Sequence, residues 1–304
     1  MESKKWRDEL IATVKPGNFR IDEPMSRLTS FRIGGPADLV VEVETPEELA
    51  LTVEYCKKSD IPWFLFGRGS NLLVRDEGIR GVVLRLGKDF QYTKVEGRKL
   101  IAGAASALAV VAEAAARNGL SGLEFASGIP GSLGGAVFMN AGAYGSEMRD
   151  VVVEVDLYRP AKGFETLTNE EIKFAYRSSG LQQEEGIVLN VVLNLTPGDE
   201  EQIREQMSNF NLKRKEKQPL EFPSAGSTFK RPEGNFAGRL IEEAGLKGKR
   251  LGNAQVSPKH AGFIINLGGA TAREVLDLID LVRREVHKKS GIWLEPEIKV
   301  VGGE

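Results

Sequence analysis

Residues 124–144 read EFASGIPGSLGGAVFMNAGAY, and this glycine-rich segment decides how the rest of the chain is interpreted. Its glycines free the main chain to take positive φ and to bring N–H groups against a ligand. They are Gly128, Gly131, Gly134, Gly135 and Gly142. Pro130 fixes a turn, and the apolar residues 137–139 predict a buried continuation. The segment predicts a nest of backbone donors for phosphate oxygens, and a plain loop between elements is the alternative.

A second glycine loop, GRGSN at residues 67–71, follows the apolar run IPWFLF at residues 61–66. A Rossmann fingerprint, G-x-G-x-x-G, requires glycine at position 72, where this chain has Leu72. No P-loop lysine follows this loop either. A dinucleotide site here therefore requires a fold other than the doubly wound parallel sheet.

Length and composition indicate an ordinary soluble globular protein. A chain of 304 residues predicts about two domains. Hydrophobic residues make up 41% and charged residues 28% of the sequence. Because the formal net charge is only −2, no global field attracts nucleic acid or an anionic membrane. We therefore expect neither a nucleic-acid partner nor membrane insertion, and no obligate protein partner is indicated.

The cysteine and histidine content excludes several kinds of site. The single cysteine, Cys56, cannot form an intrachain disulfide, and with only two histidines it cannot complete a Cys/His zinc site. We therefore predict no metal and expect Cys56 to be a small core residue. The N-terminal residues are charged throughout, unlike a signal peptide, and no apolar run of about 18 residues exists. These features predict a cytoplasmic protein.

Apolar spacing and capping residues predict the regular elements. We predict helices from Trp6, after the caps Thr45 and Thr271, over residues 105–118 and 234–245, and as a long polar helix after Asp199. We predict strands over residues 81–86, 99–103, 151–160 and 186–195. Two further strands are predicted around the Gly34–Pro36 turn within residues 26–43, and one over residues 291–302. The change of pattern at residues 197–199 predicts a domain boundary.

Several polar groups have both a functional and a structural interpretation. The basic end of the long helix, residues 212–217, and the following loop EFPSAGSTFKRP line either an anionic pocket or a solvated surface. Arg32 meets either a phosphate or solvent. Glu295 and Glu297 are predicted to project to one face of the last strand, where a surface position also suits both. From the residues alone, Ser227 is a turn residue.

Seven motifs in order carry a family resemblance. They are TSFRIGGPAD (29–38), GRGSNLLV (67–74), GLEFASGIPGSLGGAVFMNAGAYG (122–145), FAYRSSG (174–180), PSAGSTFKRP (223–232), NAQVSPKHAGFIIN (253–266) and WLEPEIKVVG (293–302). Together they closely resemble the UDP-N-acetylenolpyruvoylglucosamine reductase family from about residue 29 to residue 302. Each motif alone is weakly specific, whereas all of them in register are highly specific.

The resemblance implies an α+β fold and an activity. The fold is an FAD-binding part of the PCMH or vanillyl-alcohol-oxidase type, with two α/β subdomains, followed by a C-terminal α/β substrate-binding domain. The expected ranges are 1–28 for an N-terminal helix and lead-in, 29–196 for the FAD domain and 197–304 for the substrate domain. The implied reaction is NADPH-dependent reduction of UDP-N-acetylglucosamine enolpyruvate to UDP-N-acetylmuramate through non-covalent FAD, in peptidoglycan precursor synthesis.

The same resemblance assigns binding residues. Those expected to hold FAD are Arg32, Gly67, Arg68, Gly69, Ser70, Asn71, Leu72, Ser127, Gly128, Ile129, Pro130, Gly131, Gly134, Gly135, Asn140, Gly142, Ala143 and Ile187. Those expected to contact the UDP-sugar substrate are Tyr176, Arg214, Lys217, Lys230 and Gln255. The apolar strand at Ile187 is expected to pass close to the flavin ring.

Three residues match the family's catalytic positions. Hydride addition to the terminal alkene carbon drives negative charge into the substrate carboxylate, so donors that act in the transition state are required. Arg177 matches the residue that binds this carboxylate, and a guanidinium fork suits it. Ser227 matches the serine that protonates the carbon bearing the ether oxygen. Glu297 matches the glutamate at the same carboxylate and is expected to be protonated or paired with the arginine, with Glu295 as the alternative.

One departure and two rival classes remain. A branch of the family closes its site with a tyrosine on an insertion after the arginine motif, and no tyrosine follows Tyr176 here. The chain therefore resembles the compact branch. A PCMH-type oxidase commonly links FAD to a histidine or cysteine, which His260, His287 and Cys56 suit poorly. A non-catalytic nucleotide binder is the other class.

Overall fold

The computed structural model describes residues 5–15, 17–183 and 186–303. Eight α-helices lie within these residues. They are α1 (Lys5–Val14), α2 (Pro46–Lys58), α3 (Leu108–Arg117), α4 (Leu133–Phe138), α5 (Asn169–Ile172), α6 (Glu200–Lys217), α7 (Ala237–Glu243) and α8 (Ala272–Ser290).

The same part of the chain contains short and long strands in a mixed order with the helices. They are β1 (Asn18–Pro24), β2 (Pro36–Val43), β3 (Trp63–Leu65), β4 (Leu72–Val74), β5 (Ile79–Leu86), β6 (Thr93–Glu96), β7 (Lys99–Gly103), β8 (Leu120–Ser121), β9 (Gly142–Ala143), β10 (Ser146–Glu147), β11 (Val152–Arg159), β12 (Gly163–Thr168), β13 (Ile187–Asn194), β14 (Thr196–Pro197), β15 (Arg250–Leu251), β16 (Ala254–Val256), β17 (Ile264–Asn266) and β18 (Lys299–Val301).

The chain forms two compact units. Unit 1 consists of Met1–Arg20, Leu39–Gly67 and Gly81–Leu212, and unit 2 of Ile21–Asp38, Arg68–Arg80 and Lys213–Glu304. Early segments of the sequence therefore belong to the same unit as the C-terminal third. The ranges 1–28, 29–196 and 197–304 stay a prediction, because a domain defined by family resemblance need not coincide with a unit defined by contacts.

Unit 1 contains two hydrophobic cores. The first lies against a five-stranded sheet of order β12-β11-β13-β7-β6, in which every neighbouring pair is antiparallel. Buried residues of α3 and α4, including Val111 and Val137, fill this core together with Val155 and Val191 from the sheet. The strands predicted over residues 99–103, 151–160 and 186–195 are confirmed as β7, β11 and β13.

The second core of unit 1 lies between α1, α2 and the strands β2 and β5. Leu10, Leu49 and Val53 from the helices pack with Val41 and Val82 from the strands. Cys56 is fully buried in this core, as predicted. Burial raises the pKa of its thiol to about 12, so the thiol is inert at neutral pH.

The predicted capping residues begin the predicted helices. The Thr45 hydroxyl accepts the N–H of Glu48 at 3.2 Å and begins α2. The Thr271 hydroxyl accepts the N–H of Glu274 at 3.1 Å and begins α8 as part of a capping box. Gly119, with φ +61°, follows the end of α3. Each helix end therefore follows from its local sequence.

Unit 2 is built around α8. Its apolar stripe is buried as predicted, and it packs with residues of α7, β16 and β17. The stripe consists of Val275, Leu278, Ile279, Val282 and Val286. Phe31, Ile33 and Leu73 from the early segments belong to the same core. Strand β18 pairs in parallel with β4, so the last strand of the chain lies beside the strand that follows the second glycine loop.

Asp76 fixes the start of α8. Its two carboxylate oxygens accept the N–H groups of Ala272 at 2.8 Å and Arg273 at 3.0 Å. The Thr271 hydroxyl accepts the next N–H of the helix, that of Glu274. The first three amide donors of α8 are therefore all satisfied by side chains, two of them by a negative charge that also suits the helix dipole.

We predict that Asp76→Ala lowers the free energy of unfolding by about 1–2 kcal/mol, because two helix N–H groups lose their acceptor. Asp277→Ala is the matched control, since Asp277 lies on α8 in an exposed pair with Arg273 and such pairs contribute well under about 1 kcal/mol. Urea unfolding followed by circular dichroism measures both variants. Equal unfolding midpoints for the two variants would show that the cap is not stabilising.

One strand prediction is wrong and another is confirmed only in part. Residues 26–35 form a 3-10 turn over Met25–Arg27 and an irregular loop instead of a strand, because Arg32 and Gly34 have φ of +54° and +136°. The predicted strand over residues 291–302 is reduced to β18 and an isolated bridge between Phe229 and Pro296. Proline has no N–H to donate to a continuous ladder, which limits the strand at that point.

Two further properties concern the described residues alone. No helix among them is long and apolar enough to cross a membrane. Within the same ranges, no three His, Cys, Asp or Glu side chains are grouped so that they would hold a metal ion.

Candidate active site

Two of the five glycines of the glycine-rich segment serve close packing, and only one of the five takes a positive φ. Gly131 has φ +144°, whereas Gly134 and Gly135 lie inside α4. A Cβ on Gly134 would lie 2.9 Å from the Cβ of Ala104, and one on Gly142 would lie 2.7 Å from the Cβ of Glu147. Glycine is therefore required at these two positions so that neighbouring segments can approach.

The segment nevertheless presents open backbone donors in unit 1. Among the described residues, no acceptor is hydrogen-bonded to the N–H of Gly128, Gly131 or Ser132. Ser132 also caps α4, with its hydroxyl 3.4 Å from the N–H of Gly135. A Cβ on Gly67 would lie 2.9 Å from that hydroxyl, so the first residue of the second glycine loop comes close to the cap. This set of donors suits the oxygens of a diphosphate.

The rest of the second glycine loop lies in unit 2 and has the same property. Within the ranges that the structure describes, the N–H groups of Arg68, Gly69, Ser70 and Asn71 are hydrogen-bonded to no acceptor. The carbonyl of Gly69 accepts the N–H of Ser30 at 3.1 Å, and Gly69 has φ +64°. Leu72, which follows, begins β4. Consecutive open donors of this kind fit an anionic cofactor and agree with the prediction of a phosphate site.

The structure holds the Arg177 turn against the end of the glycine-rich segment. Ala175 and Ser178 exchange two backbone hydrogen bonds, at 2.9 and 3.1 Å, and Arg177 between them has φ +52°. The Arg177 Nη2 donates to the carbonyl of Gly142 at 2.9 Å. A left-handed backbone at a non-glycine residue costs free energy and is common at functional sites. The conformation fixes the direction of the guanidinium.

Asn140 joins the same two segments from inside. Its side chain is completely buried, with Nδ2 donating to Ala175 O at 3.0 Å and Oδ1 accepting the N–H of Arg149 at 3.0 Å. The Ser179 hydroxyl adds a bond to Phe138 O at 2.8 Å. Asn140 therefore supports the loops in this structure, and its predicted contact with a cofactor stays a prediction.

In unit 2, Ser227 lies beside the segment that carries Glu297. The N–H of Glu297 donates to Thr228 O at 2.8 Å, and the N–H of Lys230 donates to Glu295 O at 2.8 Å. These bonds flank the Phe229–Pro296 bridge. Asn71 Nδ2 donates to Glu297 O at 3.2 Å. The structure therefore brings Ser227, Glu297 and the second glycine loop together within one unit.

The five residues predicted to bind the substrate differ in their exposure and in their hydrogen-bond partners. Lys230 Nζ lies 2.5 Å from Glu295 Oε1, so Glu295 is a carboxylate partner of Lys230. Gln255 Nε2 donates to Gly248 O at 3.0 Å. Lys217, at the end of α6, is exposed, and Arg214 is half-buried on the same helix. Tyr176 is exposed, with its ring centroid 5.3 Å from the Arg177 guanidinium carbon.

The remaining residues predicted to contact the cofactor lie in different surroundings. The Ser127 hydroxyl donates to Glu124 O at 2.9 Å, and Ile187 is 1% exposed in the second core of unit 1. Arg32 is exposed in unit 2. Ile129, Pro130 and Ala143 lie within the glycine-rich segment. Ser132 lies within the segment 127–135 that the resemblance assigns to FAD, but its role as the cap of α4 was not predicted, although a serine directly before the run LGGAVF is a recognisable helix cap.

The comparisons with known proteins agree with these observations. Residues 37–165 match the FAD binding domain family, and residues 218–301 match the family described as UDP-N-acetylenolpyruvoylglucosamine reductase, C-terminal domain. The crystal structure of UDP-N-acetylenolpyruvylglucosamine reductase from Thermus caldophilus is similar, with a TM-score of 0.81 and 40% identity. The similarity covers 93% of this chain and 99% of that one.

Two curated relatives share about half of the sequence. The UDP-N-acetylenolpyruvoylglucosamine reductase of Caldanaerobacter subterraneus is 51% identical over 295 residues, which is 97% of either chain. The reductase of the same name from Syntrophomonas wolfei is 52% identical over 296 residues, covering 97% of this chain and 99% of the relative.

The chain is therefore an FAD-dependent oxidoreductase, and the predicted α+β fold with an FAD-binding part and a C-terminal domain is confirmed. The identity and coverage lead to a more specific conclusion. The chain belongs to the UDP-N-acetylenolpyruvoylglucosamine reductase family.

Proposed function

We propose that this protein reduces UDP-N-acetylglucosamine enolpyruvate to UDP-N-acetylmuramate, with NADPH as the hydride donor and bound FAD as the carrier. The product is a precursor of peptidoglycan. The geometric observation that carries the proposal is the hydrogen bond from the N–H of Glu297 to Thr228 O, which places Ser227 next to the segment of Glu297. Those two residues match the proton donor and the carboxylate-binding glutamate of the family.

The open backbone donors of both glycine loops support FAD binding. In unit 1 the N–H groups of Gly128, Gly131 and Ser132 are proposed to bind diphosphate oxygens, and in unit 2 those of residues 68–71 bind further polar groups of FAD. Bound FAD supplies a hydride, received from NADPH, to the terminal alkene carbon of the substrate. The remaining requirements of the reaction fall on the side chains of the chain.

Arg177 is proposed to bind the substrate carboxylate. Negative charge grows on that group as the hydride arrives, and a cation placed in advance stabilises it without reorganisation. The bond from Arg177 Nη2 to Gly142 O and the left-handed φ of this residue hold the guanidinium in place. A planar fork binds a carboxylate through two parallel hydrogen bonds, which a lysine cannot reproduce.

Ser227 and Glu297 are proposed to complete the reaction. The Ser227 hydroxyl protonates the carbon that bears the ether oxygen, and the strongly basic enediolate makes a weak acid sufficient. Glu297 acts at the carboxylate in a protonated state or paired with a cation, because an unpaired carboxylate would repel the substrate. Tyr176, Arg214, Lys217, Lys230 and Gln255 are proposed to contact the UDP-sugar.

Two other functional classes fit the observations poorly. An oxidase with covalently linked FAD needs an accessible histidine or cysteine, and Cys56 is fully buried with the pKa of its thiol raised to about 12. The His260 imidazole accepts the N–H of Gly262 in its own turn, and the His287 ring is stacked on Trp293 with ring centroids 4.2 Å apart. A non-catalytic binder has no need for a serine and a glutamate held in two hydrogen-bonded segments.

The compact branch of the family is proposed as the place of this chain. Support comes from the short path between Arg177 and β13, which begins at Ile187 and leaves no room for a tyrosine-bearing insertion. We also propose a cytoplasmic location and no obligate protein partner. The support for the location is the single buried cysteine and the use of NADPH, a nucleotide of the cell interior.

An anaerobic two-step experiment tests the proposed function. The purified yellow protein is reduced with NADPH until the flavin absorbance is lost, and UDP-N-acetylglucosamine enolpyruvate is then added. Return of the flavin absorbance together with formation of UDP-N-acetylmuramate is expected. A flavin that stays reduced after the addition would contradict the proposal.

We predict that Arg177→Lys leaves flavin reduction by NADPH within about twofold of the wild-type rate but slows reoxidation by substrate by about 10²- to 10³-fold, because a bidentate contact is lost. Stopped-flow absorbance measures each half-reaction. Arg149→Lys is the control, because Arg149 forms an exposed ion pair with Glu147 in the same unit. A non-catalytic binder predicts no difference between these two variants.

A further inference from the structure

His260 lies in a tightly closed turn of unit 2. The Ser257 hydroxyl accepts the N–H groups of Lys259 and His260, each at 3.1 Å, and the N–H of Phe263 donates to His260 O at 3.0 Å. The imidazole folds back over the turn, where its Nδ1 accepts the N–H of Gly262 at 3.1 Å. One side-chain nitrogen therefore fixes the peptide before Gly262.

Gly262 leads directly to the segment of Ser227 through its other peptide unit, the one after it. The carbonyl of Gly262 accepts the N–H of Thr228 at 2.8 Å, and the N–H of Ile264 donates to the Thr228 hydroxyl at 3.0 Å. Thr228 O in turn accepts the N–H of Glu297 at 2.8 Å. Two hydrogen bonds therefore connect the His260 imidazole with the residue next to Ser227, and a third continues to Glu297.

The imidazole has little freedom to move. A Cβ on Gly238 of α7 would lie 3.3 Å from its Cε1, and a Cβ on Gly262 would lie 3.0 Å from the same atom. The ring of Phe263 meets it edge-on, with ring centroids 5.1 Å apart. These contacts keep Nδ1 directed at the Gly262 N–H.

We infer that His260 is a positioning residue, whose neutral imidazole holds residue Gly262 by its N–H and thereby keeps Ser227 and Glu297 in place. This inference rests on the proposed function, because it assigns a purpose to the position of Ser227. An Nδ1 that accepts a hydrogen bond requires the tautomer with the proton on Nε2. A misplacement of about 1 Å at a reacting group costs on the order of 10²-fold in rate.

The charge state of His260 sets the pH range of this effect. Burial lowers the pKa of His260 below its ordinary value of 6.5, and the cations Lys247 and Lys217 act in the same direction, while a hydrogen bond to the backbone of His260 itself and the charge of Glu242 on α7 act against them. Because the pKa is lowered in the folded protein, the contribution is complete above pH 6.5 and is lost as the pH falls through the lowered pKa. A protonated Nδ1 cannot accept the N–H of Gly262, so the two donors would then repel each other and the hydrogen bond would be lost.

Two variants of the FAD-bound enzyme separate positioning from packing. His260→Asn keeps an acceptor near the position of Nδ1, whereas His260→Leu keeps apolar volume without an acceptor. We expect His260→Leu to slow reoxidation of reduced flavin by substrate about 10- to 30-fold, since a buried donor is left unpaired, and His260→Asn to restore the rate to within about threefold. Flavin reduction by NADPH is expected to stay within about twofold in both.

The pH profile and the tautomer provide independent measurements. The wild-type reoxidation rate is expected to fall on an acid limb below pH 6.5, and this limb is expected to disappear in His260→Asn. Nitrogen-15 NMR of histidine-labelled wild-type enzyme is expected to report a protonated Nε2 and an unprotonated Nδ1 at pH 7. The NMR result does not depend on catalysis or on any variant that fails to fold.

The outcomes distinguish this inference from the proposed function. If wild-type reduced flavin is not reoxidised by the enolpyruvate, the proposed function fails. If the wild type works and His260→Leu matches it, or both half-reactions slow equally, or the acid limb persists in His260→Asn, the positioning role is wrong while the function stands. An Nδ1-protonated imidazole at pH 7 would also overturn it.

Discussion

Ser227→Ala is expected to slow the reoxidation of reduced flavin by UDP-N-acetylglucosamine enolpyruvate by about 10²- to 10⁴-fold, the range typical of a lost general acid. Reduction of the flavin by NADPH is expected to stay within about twofold, because that half-reaction needs no proton on the substrate carbon. Stopped-flow absorbance under anaerobic conditions measures the two steps separately. The asymmetry between them is the signature of the proposed role.

The structure gives this experiment a clean interpretation. The Ser227 side chain is exposed, and in the described part of the chain its hydroxyl forms no hydrogen bond. Its removal therefore leaves no partner unsatisfied, and the fold is expected to be unchanged. Ser224→Ala, three residues earlier in the same loop, is the matched control. A similar loss in both half-reactions, or an equal loss in Ser224→Ala, would mean that Ser227 is a structural turn residue.

Local sequence predicted the elements whose ends are set by a single side chain. Thr45 and Thr271 begin α2 and α8, and Gly119 follows α3, because capping involves residues at most four positions apart. The buried stripe of α8 was equally predictable, since its period of 3.6 is visible in the sequence. These features depend little on the rest of the fold.

Features that depend on distant segments could not be predicted in this way. The residues around Phe31 and Ile33 alternate like a strand, yet each enters the core of unit 2 from an irregular loop. Gly134 and Gly142 resemble ligand-binding glycines, but the structure places Ala104 and Glu147 against them. In both cases a tertiary neighbour, invisible in the local sequence, decides the conformation.

The same distinction between local and distant information applies to the candidate site. The motif resemblance named Arg177, Ser227 and Glu297, but not what holds them. The bond from Arg177 to Gly142 O and the link from Thr228 to Glu297 join residues that lie 35 or more positions apart. Likewise, the pairing of Lys230 with Glu295 separates the two glutamates that sequence alone left interchangeable.

Gly78→Ala is expected to cause the largest loss of stability, about 3–5 kcal/mol, because the new methyl group would collide with the backbone of a neighbouring segment that cannot move away. Gly78 has φ +83°, and its Cβ would lie 1.9 Å from the carbonyl oxygen of Pro36. The partner segment is equally close, since a Cβ on Gly35 would lie 2.0 Å from Asp76 O. Neither backbone segment can retreat, because Asp76 also anchors the start of α8.

Gly248→Ala is the control that separates the steric collision of a new methyl group from the cost of a left-handed backbone. Gly248 has φ +78°, close to that of Gly78, but no atom of the described residues would lie within 4 Å of a Cβ added there. Its substitution is expected to cost only the left-handed strain of about 1–2 kcal/mol. Urea unfolding of FAD-free and FAD-bound protein measures both variants, since a ligand bound to the native state raises the apparent stability. Equal midpoints for Gly78→Ala and Gly248→Ala would show that the two backbone segments at Pro36 and Gly78 can move apart. Loss of folded protein in Gly78→Ala alone would show that the fold of unit 2 depends on the contact between its early segments.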